Sequence, residues 1–165
     1  MKKKVINYRI SNCVTTREGL LMNAYDGADN ANIDEKTMSD IGAAPACFTT
    51  MQGRVIEYMP DKSLTVSVPV LESYLNPAGS MQGGYITAAF DNVFGPLSHA
   101  VMKSLTTTLY IHTSYHRAIF AGDELIVKAS VTKAGKTVTH MYAEAHNREN
   151  KLIASANTDY IHFKK

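Results

Sequence analysis

Between Gly83 and Lys103 the chain carries one long helical pattern, and the residues after it never repeat such a pattern. Ile86, Phe90, Val93, Leu97 and Val101 recur at three- and four-residue steps, the apolar stripe of a helix. Two adjacent glycines, Gly83 and Gly84, open it, and Asp91 stands eight residues past Gly83, beside the stripe residue Phe90. Between Glu72 and Lys103 the other ionisable side chains are only His99 and the weakly acidic Tyr74 and Tyr85. A carboxylate in so apolar a helix is usually either solvated or functional. Pro96 lies inside the same pattern, beside Gly95. It removes one hydrogen bond and clashes with the carbonyl of Asn92 at a cost of ~3 kcal/mol, so a kink or a broken last turn is expected.

Everything after the helix reads as β. Four strands are predicted at about 106–117, 123–133, 137–147 and 152–163, separated by Gly122-Asp123, Ala134-Gly135-Lys136 and Asn147-Arg-Glu-Asn150. Leu125, Val127, Ala129 and Val131 alternate with a wet face that holds Glu124 and Lys128. Short connections between such strands imply an antiparallel meander. Before the helix, Phe48 to Tyr58 has a β texture, Met59 to Ser63 is a turn, and Leu64 to Val70 alternates as a strand. Pro69 near its end suggests an edge position. One sheet with one long apolar helix is an α+β arrangement, an antiparallel sheet wrapped around a central helix.

The first 44 residues are the least legible. Asp26 to Asp34 is rich in turn formers, and a short helix is expected over Glu35 to Asp40, stopped by Gly42 and Pro45. We read residues 1–44 as an N-terminal extension packing on a domain of residues 45–165. A formal charge of +2 is too small to imply a nucleic-acid partner, and with neither a long basic run nor interleaved aromatics none is expected. Lys2-Lys3-Lys4 is followed by no signal-peptide apolar core, and no apolar run is long enough for a membrane span. Cys13 and Cys47 make no motif, so a reducing cytoplasm is expected. His112 and His116 share one face of a strand, but no further ligand completes a set, and no metal is expected.

Element order and motif together resemble the hotdog fold, and more narrowly the acyl-CoA thioesterases of the phenylacetate pathway and the acyl-CoA thioesterase-13-like enzymes. That family's pattern is an Asn, then His-Gly-Gly at the helix start, then an Asp nine residues after the His. Here Asn76 precedes Gln82 by six residues, Gly83 and Gly84 follow, and Asp91 falls nine after Gln82. Thr106 to Ala118, the Gly122-Asp123 turn and the Lys133 to Val138 hairpin are similar to the family's later strands. The likeness covers roughly residues 47–163. One departure stands out: Gln82 occupies the place of the family's His.

The resemblance implies hydrolysis of an acyl-CoA thioester by a homodimer or a dimer of dimers, with coenzyme A as part of the substrate and no bound cofactor. Such chemistry needs a base or nucleophile, and donors where charge develops on the carbonyl oxygen. A helix N-terminus offers unpaired N–H groups and a partial positive charge, so the Gly83 N–H is the natural oxyanion donor. Asp91 is the candidate base or nucleophile. By the family match, Asn76 and Gln82 position the thioester or water, and Thr108 takes the place of a Ser/Thr that handles water. A Gln cannot shuttle a proton, but its amide can donate. Gly84, Tyr85, Lys133, Gly135 and Lys136 are the candidate substrate contacts, the lysines toward the coenzyme A phosphates. Asp91 lies about 12 Å along the helix from Gly83, too far for one chain to make a single site. Hotdog dimers resolve that distance by facing the acid of one chain to the helix start of the other. The alternative reading is a module that binds acyl-CoA without turning it over, favoured by Gln82. A hotdog dehydratase pairs a catalytic His with an acid, and position 82 has no such His.

Overall fold

The computed structural model describes residues 35–163. Cys13 and the turn-rich stretch Asp26 to Asp34 lie outside them. A short helix, α1 (Glu35–Ile41), is followed by α2 (Ala46–Thr50), β1 (Arg54–Met59), β2 (Ser63–Pro69) and a 3-10 turn at Glu72–Tyr74. The long helix α3 (Gly83–Met102) comes next, then β3 (Thr106–Tyr115), β4 (Glu124–Ala134), β5 (Val138–His146) and β6 (Leu152–His162).

The strands form one antiparallel sheet in the order β1-β2-β4-β5-β6-β3. Its inner face packs α3, which touches every strand from β2 to β6. From Ala89 to Ala100 the helix is buried almost all round, and Asp91 is the one exposed residue in that stretch. Phe90, Phe94 and Leu97 are fully buried against Leu125, Val127 and Ile153. Burial of each such side chain contributes ~1.5–3 kcal/mol. This is the sheet wrapped around one central helix that the sequence pattern implies.

Four local expectations are corrected. Phe48 to Thr50 is helical rather than β, because Pro45 supplies an extended N-cap and Phe48 turns inward to cover Gly53. A Cβ on Gly53 would come within 2.8 Å of the Phe48 ring, so the chain makes its turn there and strand begins only at Arg54. The last turn of α3 is not broken at Pro96. The helix runs on to Met102, and the buried packing of Pro96 offsets its missing hydrogen bond. β2 is an interior strand, yet its proline is tolerated. Val70 N–H donates to Asp123 on the β4 side, so by alternation Pro69 faces the other side, beyond the last β1 pairing at Ser67.

The fourth correction concerns β3. β4, β5 and β6 form a meander, but β3 pairs with β6 at the far edge instead of with β4. Residues 116–123 therefore cross three strand spacings, roughly 14 Å. Eight residues reach about 26–29 Å when extended, so the connection is ample. On its way it pairs Phe120 with Ser80 and receives the Met81 N–H at Ile119, which ties it beneath the start of α3.

Candidate active site

Asp91 is held on one oxygen and open on the other. Thr108 Oγ1 donates to Asp91 Oδ1 at 3.1 Å, and the Tyr160 hydroxyl donates to that same oxygen. The two donors arrive as a pair because Thr108 and Tyr160 are directly opposite each other in the β3–β6 register. Asp91 Oδ2 has no hydrogen-bond partner among the described residues. Burial pushes the Tyr160 hydroxyl well above its ordinary range, and its bond to Asp91 adds to the rise, so Tyr160 stays protonated and stays a donor. Asp91 opens onto a cavity of about 520 Å³ bounded by α3, the start of β3 and the segment that follows α1. Such a volume lies within the range of small-ligand sites.

The helix start is built differently. Gln82 is the N-cap residue, extended at φ −65° and ψ 136°, exposed, and with no capping bond from its side chain. Its N–H donates to Tyr74 at 2.8 Å, which fixes where α3 begins. The N–H groups of Gly83 and Gly84 have no partner among the described residues, as the first turn of a helix dictates. Gly83 is small for a reason inside the chain: a Cβ there would come within 2.9 Å of the Tyr115 ring. The Tyr115 hydroxyl lies 3.0 Å from the Gly83 carbonyl and 2.8 Å from Thr87 Oγ1. A Cβ on Gly84 would meet nothing. Tyr85 stacks on Tyr74 with ring centroids 4.5 Å apart.

Asn76 spends its side chain on its own loop. Its Oδ1 accepts from the N–H of Ala78 and of Ser80, and its Nδ2 donates to Ser80 Oγ. Within one chain, then, the fold joins Thr108 to Asp91 but leaves Asn76, Gln82, Gly83, Gly84 and Tyr85 outside the Asp91 cavity. Lys133, Gly135 and Lys136 sit in the β4–β5 hairpin. The pairings Ala134–Thr139, Thr139–Tyr160 and Tyr160–Thr108 place that hairpin at the Asp91 end of the sheet, three strands away. Gly135 is a turn residue whose N–H bonds Val138 at 2.8 Å. His112 lies against Tyr110 and His116 against Ser155, and no three metal-ligating side chains gather among the described residues.

Tyr160 is the site residue that sequence reasoning missed. A tyrosine on the inward face of a strand needs a partner for its hydroxyl, and the alternation of β6 puts Tyr160 inward with Thr158 and Ala156. That signal was present without naming the partner.

Residues 78–154 match the thioesterase superfamily model. Among solved structures, the E. coli PaaI protein from the phenylacetic acid degradation operon superposes with a TM-score of 0.69 at 22% identity, covering 73% of this chain and 86% of that one. A phenylacetic acid degradation-related protein from Ralstonia eutropha JMP134 gives 0.68 at 26% identity, covering 78% and 99%. A hypothetical thioesterase protein with coenzyme A from Streptococcus pneumoniae TIGR4 gives 0.64 at 24%, covering 68% and 90%. No curated protein matches the chain by sequence. The fold is the hotdog fold, shared with these neighbours, and residues 78–154 within it are similar to the thioesterase superfamily.

Proposed function

We propose that this protein hydrolyses an acyl-CoA thioester to a free acid and coenzyme A, at a site shared between two copies of the chain. The observation that carries the reading is the Asp91 carboxylate, with Oδ1 fixed by Thr108 and Tyr160, Oδ2 without a partner among the described residues, and the residue on the wall of a cavity. An acid held in that way keeps a defined lone pair toward the substrate. It removes a proton from water as the water attacks the carbonyl carbon, or attacks that carbon itself. The C–S bond then breaks, and the departing thiolate takes up a proton as coenzyme A. The free N–H groups of Gly83 and Gly84 suit the oxyanion, with the helix dipole behind them. Gln82 orients the thioester or the water through its amide.

Two copies are needed because Asp91 and Gly83 lie about 12 Å apart on one helix. β3 supports that assembly. It is a ten-residue edge strand that exposes Leu105 nearby and Leu109 and Tyr115 along its length, and long open edges with apolar residues pair readily. In this reading the assembly is a homodimer, or a dimer of such dimers. Coenzyme A in the Streptococcus pneumoniae neighbour supports the leaving group. Lys133 and Lys136 are exposed at the Asp91 end of the sheet, and in this reading they meet its phosphates.

A second reading has one observation behind it. Position 82 holds Gln, whose amide cannot carry a proton, where the resembled family has His, as suits a site that holds acyl-CoA without turnover. Free-thiol release from short, medium, long and aromatic acyl-CoAs, measured for wild type beside Asp91→Asn, separates the two. Turnover by wild type with a loss of at least ~100-fold in the variant supports the hydrolase. No turnover by either, with equal acyl-CoA binding, supports the binding module.

A further inference from the structure

The wall of the Asp91 cavity opposite α3 comes from a part of the chain outside the strands that build the rest of the fold. Ile41, Gly42, Ala43, Pro45 and Cys47 all border it. This segment is anchored, not laid loosely over the opening. Ile41 and Phe48 at its two ends are 2% and 1% exposed, within the main core, and Ala44 packs against that core. Asp40, just before it, accepts from Tyr58 of β1 and pairs with Lys103 at the end of α3 at 3.3 Å. Between these anchors Ala43, Pro45 and Cys47 remain exposed toward the cavity. Gly42, with φ at +77°, takes the chain out of α1 in a left-handed conformation beside the His99 ring.

We infer that Ala43, Pro45 and Cys47 form the wall against which the acyl group of the substrate lies, and that their small size sets which acyl groups are accepted. The inference rests on the acyl-CoA reading of Asp91. The chemistry of the wall is that of a compact apolar acceptor: a methyl, a pyrrolidine ring and a thiol face Ala88 and Pro96 of α3, with no charged side chain among them. One methylene more or less in an apolar pocket shifts discrimination by ~10–200-fold. The preference for longer over shorter acyl groups is therefore controlled by side-chain volume at Ala43.

Two measurements test it. The first is kcat/KM over acetyl- to palmitoyl-CoA for wild type, Ala43→Leu and Ala43→Phe, with Ile56→Ala on the exposed part of β1 as a control. The larger side chains should lower the ratio of longer to shorter substrates at least ~10-fold, mainly through KM, while the control leaves it unchanged. An unchanged ratio in folded Ala43→Phe overturns the inference. The second uses Cys13→Ser protein, in which Cys47 is the remaining thiol, and follows its alkylation by iodoacetamide. A non-hydrolysable S-alkyl-CoA should slow the reaction several-fold, and desulfo-coenzyme A, which has no thiol to consume the reagent, should not. Equal rates with and without the S-alkyl-CoA overturn the wall, whether or not the protein hydrolyses acyl-CoA. Absence of hydrolysis with protection of Cys47 instead counts against the hydrolase and leaves the wall standing.

Discussion

The two ends of α3 solve opposite problems. Around Asp91 the partners come from far along the chain, with Tyr160 69 positions away, and the result is an acid fixed in one orientation. Around Gly83 the loop before the helix bonds within itself, with Gln82 to Tyr74 and Asn76 to Ala78 and Ser80, Tyr115 and Ile119 reach in from beyond the helix, and two N–H groups are left over. One end thus presents an acceptor with a free oxygen and the other presents donors with no acceptor. Within a chain these halves do not meet. A fold that completes each half separately can be tuned at one without disturbing the other, and that independence can be measured.

The sharpest break in the comparison is Asp91→Asn, which should cost ~100-fold or more in kcat while thermal unfolding barely moves, because Asp91 is exposed. Next comes Tyr160→Phe. It keeps the ring in the core but removes a hydrogen bond to a charged group, so a fall of roughly 10-fold in kcat is expected. Steady-state kinetics should find that loss absent when Asp91 is already Asn. At the other end, Asn76→Ala strips three local hydrogen bonds and should lower stability by about 1–2 kcal/mol in urea, without altering the Asp91 pair. Gly83→Ala should cost about 1 kcal/mol, the low end for overpacking, since Tyr115 is 54% exposed and can yield. In a double-mutant cycle with Tyr115→Ala that cost should largely vanish.

The smallest expected effect concerns acid. Asp123 lies in the connection beneath the helix start, where burial alone would raise its carboxyl. Hydrogen bonds from the Glu124 and Arg148 N–H groups and from Asn147, with the Arg148 charge, outweigh burial and hold it below the usual range. A depressed folded value means the stabilisation is complete above the unfolded value of about 4 and is lost as pH falls through the folded one. Urea midpoints should therefore drop between pH 5 and 2, and Asp123→Asn should flatten that fall while the Asp91 half keeps its geometry.

Much of the frame was legible because its signals are periodic. The α3 stripe, the alternation of β4 and the turn residues around Gly135 and Asn150 each follow from side-chain spacing. What escaped were pairings between distant positions. The edge place of β3 depends on β6, which no local pattern in Thr106 to Tyr115 encodes. Phe48 to Thr50 carries strand-like residues that the Pro45 cap and the Gly53 contact override. For the site, Asp91 and Thr108 were visible as residues, whereas the clamp they share with Tyr160 exists only once the sheet register is set.

The crossing of residues 116–123 also orders events in time. β3 emerges directly after α3, but its only partner in the sheet is β6, the most C-terminal of the described strands. During synthesis it waits while β4 and β5 are made, an edge without a neighbour and with Leu105 and Leu109 bare. Its docking onto β6 adds the last edge to the sheet and, by bringing Thr108 opposite Tyr160, completes the pair of donors on Asp91. The Asp91 cradle thus depends on the most C-terminal of the described strands, and a chain stalled before β6 carries its Asp91 without the Tyr160 bond that fixes it.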